Sequence, residues 1–208
     1  MPSPLRSPLM LGKSRIEALS DGVFSITMTL LVLKLEVPPV MHHASNADML
    51  EQLLNLTPAF ITYVVTFLIT GGFWFLHHLS FHFIRHVNAV LIWVTLLFLM
   101  LVSLLPFSAG LMSHFLVHPV SQFFYYGNEF AIAVFLNAHW LYARFRGLLD
   151  AGDTHGVSRL TLRIGMTTAV FAACLVTAFF LPSWSWVPLP VFLVGAVIVE
   201  ARESASRG

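Results

Sequence analysis

Histidine and acid carry most of the chemistry this sequence could do. His77, His78, His82 and His86 crowd one stretch, and the last three repeat at i, i+4, i+8. On an uninterrupted helix that spacing stacks imidazoles on one face, where they could ligate iron, copper or zinc. No second histidine cluster stands on another apolar segment: His139 and Glu129 are isolated from one another, and His114 and His118 lie in a different loop. His82 and His86 also flank Arg85, as amphipathic rings do at a membrane interface. Asp21 is the other reactive group, an acid inside an otherwise apolar run. An acid there is costly unless it has a partner or a function, and the candidate partners are Arg15, His77 and His78. Glu129, Asn128 and Asn137 form a third set, able in principle to bind a substrate or a proton, although Glu129 is expected near a span's outer end and solvated.

The elements that must position these groups are set by composition. Of 208 residues, 57% are hydrophobic and 10% charged, with a mean hydropathy of +0.81. A soluble domain carries about 25% charged residues, so a soluble enzyme is excluded and a polytopic membrane protein is expected. The net charge of +1 offers no field for nucleic acid. Cys174 is alone, which excludes an intrachain disulfide and a cysteine-based zinc site. Hydropathy and breakers predict an all-α chain with six transmembrane helices: 16–37, 57–79, 88–113, 120–143, 160–181 and 186–200. They form one domain, 16–200, between polar tails 1–15 and 201–208.

Ten of the eleven Lys and Arg fall at alternate ends of these spans. Basic residues mark the cytoplasmic side, so both termini are expected in the cytoplasm and the loops 38–56 and 114–119 outside. The first span differs from the rest. Its charge-free stretch, Gly22 to Leu33, is too short to stand alone in lipid. At 100° per residue, Leu19, Gly22, Ile26, Leu30, Leu33 and Val37 form one aliphatic stripe, while Asp21, Ser25, Met28 and Val32 form another about 140° away. Periodicity alone reads the aliphatic stripe as helix packing or lipid contact. Asp21 lies about 8 Å inside the cytoplasmic boundary and His77 and His78 about 11 Å. Trp74 is one turn deeper, so a polar network of Asp21, Trp74, His77 and His78 is expected, with a histidine donating to the acid.

The segment Arg15-Ile-Glu-Ala-Leu19-Ser20-Asp21 resembles the Arg-x-x-x-Phe-Ser-Asp signature that opens the first helix of the transmembrane protein 175 family of potassium channels. Phe73-Trp74-Phe-Leu-His77-His78, then Asn88 and Pro106-Phe107, follow in the family's order. The likeness is close over the first half and holds by span count over the second. Leu19 stands where the motif usually has Phe. The resemblance is to the single-repeat prokaryotic branch. It implies a homotetramer in the prokaryotic plasma membrane, six helices per chain, and a central pore lined by the first helix. By position the constriction would comprise Ile26, Leu30 and Leu33, with the Thr29 hydroxyl at its edge. Arg15, Leu19, Ser20 and Asp21 would serve packing. K⁺ would be the permeant ion, with no cofactor, no metal and no catalysis. No Thr-Val-Gly-Tyr-Gly segment exists to form a carbonyl filter. A histidine-ligated intramembrane metalloenzyme, a secondary transporter using Glu129, and a purely structural membrane subunit remain the alternatives from the residues themselves.

Overall fold

The computed structural model describes residues 12–36, 45–116, 118–150 and 152–190. It is all-α, with seven helices among the described residues: α1 (Lys13–Val32), α2 (Asn46–Asn55), α3 (Thr57–Phe83), α4 (Ala89–Ser103), α5 (Leu105–His114), α6 (Pro119–Phe145) and α7 (Thr154–Phe180). A short 3₁₀ turn, Pro182–Trp184, follows. Three runs are long and apolar enough to cross a membrane: α3, α7, and α4 continued through α5. At 1.5 Å per residue the 27 residues of α3 span about 40 Å. The expected sixth span, 186–200, lies mostly outside the described residues, as do the end of the first span beyond residue 36 and both chain termini.

Two differences from the hydropathy reading have local causes. The third span is two helices, because Pro106 has no amide to donate to Val102 and its ring crowds that carbonyl; α4 accordingly closes at Leu104 and α5 opens at Leu105. The loop expected at 38–56 contains α2, an exposed ten-residue helix. Its start is a capping box: the Ser45 hydroxyl accepts from the Asp48 amide, and the Asp48 carboxylate accepts from the Ser45 amide at 2.8 Å.

α6 is the central element, packed against α7, α4 and α5, while α1 packs against α3, α4 and α5. The main core joins Phe24, Phe73, Phe98, Leu105, Ile132, Leu136, Trp140 and Ile164. The two basic loops meet at one end. Ile84 and Leu149 form an antiparallel bridge, the Arg85 amide donates to the Leu148 carbonyl at 2.8 Å, and the Asp150 amide donates to the Phe83 carbonyl at 2.8 Å. Gly147, at φ +65°, turns the chain out of α6 toward this bridge, a conformation that side chains with a Cβ rarely adopt. At the opposite end Lys34, Asn55, Pro58, Ser113, His114 and Pro119 surround a cavity of about 660 Å³.

Candidate functional site

α1 divides into two faces. Ile16, Ser20, Phe24, Thr27 and Leu31 are buried against the bundle. On the other side Leu19, Ile26, Leu30 and Leu33 are exposed, Ile26 by 60% and Leu33 by 69%. No helix of the same chain covers this stripe among the described residues. Phe24 explains the orientation of α1: it is 1% exposed and its ring lies 5.9 Å from that of Phe98, which fixes the inward side.

The hydroxyls of α1 are turned onto its own backbone. Ser20 donates to the Ile16 carbonyl at 2.9 Å and is buried. Thr29 donates to the Ser25 and Ile26 carbonyls at 3.0 and 2.8 Å and lies on the exposed side, at the edge of the stripe. Arg15 is exposed near the start of the helix.

Asp21 is exposed, and its carboxylate accepts a 2.8 Å hydrogen bond from the Trp74 indole. The donor is this indole and not the expected histidine. His78 stacks on Trp74 with ring centroids 5.6 Å apart. His77 turns away into the core, 3% exposed, stacked on Phe98 at 5.0 Å and with Phe81 at 4.9 Å. Adjacent positions on a helix point 100° apart, so the two histidines cannot share one partner on α1. Thus Asp21, Trp74 and His78 form one group and His77 another.

The histidine ladder also ends. α3 closes at Phe83 and Ile84 is extended, at ψ 120°, so His86 leaves the helical face of His78 and His82. Among the described residues no three metal-ligating side chains converge. The three polar residues considered for transport are separated: Asn128 donates to the Ser108 hydroxyl on α5 at 3.2 Å, and Asn137 to Thr168 on α7 at 3.3 Å. Glu129, expected to be solvated, is fully buried on α6, beside Tyr125 of its own helix and Cys174 of α7.

Sequence reasoning does not reach three contacts made between distant segments. The His139 ring lies 5.5 Å from that of His77. The Tyr125 and Thr66 hydroxyls are hydrogen-bonded at 2.8 Å. Thr161 accepts from the Trp140 indole at 2.9 Å and from Arg144 at 3.1 Å. Only the last has a signal, an Arg and a Trp one turn apart at the basic end of a span.

The comparisons with known proteins follow the same first helix. The family model described as "Endosomal/lysosomal potassium channel TMEM175" matches residues 15–106. A potassium channel of Chamaesiphon minutus is 31% identical over 201 residues, covering 92% of this chain and 95% of that one. The crystal structure described as a lysosomal potassium-selective channel TMEM175 homolog from the same organism superposes with a TM-score of 0.74 at 29% identity, over 91% of this chain and 97% of that chain. A second solved structure, a point variant of the potassium channel MtTMEM175 in complex with a Nanobody-MBP fusion protein, shares the fold at a TM-score of 0.62 and 16% identity, over 96% and 99% of the two chains. With the signature on α1, the tryptophan that binds its acid and near full-length similarity to such a channel, this chain belongs to the TMEM175 family, one of channels and not of enzymes.

Proposed function

We propose that the chain forms a potassium-permeable cation channel, a homotetramer in the prokaryotic plasma membrane whose pore is lined by four copies of α1. Each subunit contributes six membrane spans, with both termini in the cytoplasm. Ile26, Leu30 and Leu33 form the constriction, and Thr29 adds a hydroxyl at its edge. The reading is carried by one observation: the aliphatic stripe of α1 is left uncovered by the described residues of its own chain while the opposite face is packed into the core. Other copies of the chain would cover such a face around an axis, and the name borne by the Chamaesiphon minutus relative supplies the ion.

Selectivity then works without carbonyl ligands. A ring of branched alkyl groups opposes an ion by excluding its hydration water, and K⁺ sheds water more readily than Na⁺. A K⁺ preference results from that difference in dehydration cost. Arg15, Leu19, Ser20 and Asp21 act in packing, with Trp74 and His78 supporting Asp21 from α3.

Single-channel recording from purified protein in planar bilayers tests the reading. Discrete openings with a reversal potential displaced toward K⁺ under K⁺/Na⁺ bi-ionic conditions are expected. Saturating, slow flux without unitary steps would replace it with a transporter, and no flux with a structural subunit.

A further inference from the structure

Glu129 is the one acid of the described residues buried to 0% exposure, and the channel reading makes no use of it. It lies ten residues into α6, about 15 Å from the Pro119 end. Neither carboxyl oxygen makes a hydrogen bond in the structure. No Lys or Arg occurs in α3, α4 or α5, nor in α7 beyond Arg163, so no cation of the surrounding spans stands at its level. His139 is ten residues further along α6, another 15 Å or so away. A bare carboxylate in such surroundings is too costly to persist, and the group resolves the conflict by taking up a proton.

The groups facing it are weak acids or neutral. α6 contributes Tyr125, one turn earlier and adjoining the carboxyl, and Tyr126. α7 contributes Cys174, and α3 contributes Thr66, which holds the Tyr125 hydroxyl at 2.8 Å. Tyr125, Tyr126 and Cys174 belong to a buried cluster that also holds Ala109 and Met112 of α5 and Leu31 of α1, the residue between Leu30 and Val32 on the helix with the exposed stripe. Lys34, two residues past the end of α1, is exposed at the outer end with its stem against Gly110, and Lys13 and Arg15 lie at the far end of α1. Toward that outer end the polar side chains continue: Ser185 donates to Gln122 at 3.2 Å, and both are buried.

We propose that Glu129 is a proton-binding site internal to each subunit, which takes one proton from the outer solution and holds it within the packing that backs α1. Protonation leaves a neutral acid that fits among Tyr125, Tyr126 and Cys174. Its loss places a bare charge beside the cluster that Leu31 joins, at a desolvation cost that favours loosening α6 from α1, α5 and α7. Occupancy of the site therefore adjusts the position of α1. The effect on conduction rests on the pore reading above; the protonation does not.

The test uses full-length wild type and Glu129→Gln in lipid vesicles. Infrared difference spectra are taken between about pH 6 and pH 9, where solvated acids with ordinary values near 4 are ionised. The wild type is expected to show the carbonyl stretch of a protonated carboxyl at the acid end, absent from Glu129→Gln. A missing band, or one that survives in Glu129→Gln, overturns the proposal. If Glu129→Gln does not assemble, Glu129→Asp serves instead: the band should shift in frequency as the carboxyl is drawn back by one methylene, and an unmoved band assigns it to another acid. K⁺ flux in the same vesicles should change about threefold or more across the range in wild type and stay flat in Glu129→Gln. Parallel profiles overturn the coupling to α1. Vesicles that conduct nothing count against the channel reading, while the infrared result still decides Glu129.

Discussion

The Trp74 indole donates to Asp21 at 2.8 Å on the open side of the α1–α3 seam, where both side chains remain partly exposed. The bond ties the helix with the uncovered aliphatic stripe to the next one at a level about three turns before Leu33. It also explains why the acid need not face that stripe, since Asp21 projects about 140° from Ile26.

Asp21→Leu should therefore reduce the yield of folded, assembled protein more than it alters ion preference. Trp74→Phe, which keeps an aromatic ring and removes the donor, should weaken the seam by about 1–2 kcal/mol. Thermal unfolding with size-exclusion chromatography measures both. A mutant that assembles normally and loses K⁺ preference outright would put Asp21 in the ion path.

Ile26→Asn would place amides around the axis, wet the constriction, raise conductance and lower discrimination between K⁺ and Na⁺. Met28→Asn is the control. Met28 points about 160° away, and its methyl group lies 3.8 Å from where a Cβ on Gly71 of α3 would stand. That substitution should affect assembly. Bi-ionic reversal potentials decide; an unchanged Ile26→Asn channel beside an altered Met28→Asn channel would assign the pore to the other face.

The topology is tested at Ala47, exposed on α2. In a Cys174-free background, Ala47→Cys should react with an impermeant thiol reagent added outside and not with the same reagent confined inside. The reverse pattern would invert the orientation.

Asn88 should be worth more than one cap. Its carbonyl oxygen accepts from the Leu91 amide at 2.9 Å, and its amide donates to the Tyr142 hydroxyl on α6 at 3.0 Å. Asn88→Ala is expected to cost about 1–3 kcal/mol, against about 1 for an isolated cap. Tyr142→Phe, which keeps the cap and removes the acceptor, should by itself cost most of that difference in thermal unfolding.

Asp48 gives a prediction in pH. The amide and hydroxyl of Ser45 hold its carboxyl below the ordinary carboxylate range. A lowered value means that the support given to α2 is present above the ordinary value and is lost as pH falls through the lowered one. Amide exchange in α2 should accelerate at that acid end in wild type and be fast at all pH values in Asp48→Ala.

The apolar spans are legible because hydropathy is a local property: α3, α7 and the α4–α5 run lie where stretches of Leu, Phe and Val require them. α2 escapes a hydropathy reading because Asn46, Asp48, Glu51, Gln52 and Asn55 dilute it, although Ser45 and Asp48 already spell its cap. The aliphatic stripe of α1 follows from 100° arithmetic, which needs no tertiary information. The partner of Asp21 does not follow. Depth places His77, His78 and Trp74 near it, but which one reaches it depends on the rotation of α3, set by Phe73 and Phe81 in the core. Glu129 is misread for the same reason: distance along a span says how deep a residue sits, not which neighbour closes over it.

The buried hydroxyls have a consequence for the bundle behind α1. Thr62, Thr70, Ser80 and Thr95 each donate to the carbonyl four residues earlier on their own helices, at 2.7 to 2.9 Å. Each spends its donor locally and presents its methyl group or bare methylene to the neighbouring helix. At these four positions no hydroxyl donor is left to bridge to a neighbouring helix, so the contacts that α3 and α4 make there are apolar surface against apolar surface, free to slide without breaking a hydrogen bond.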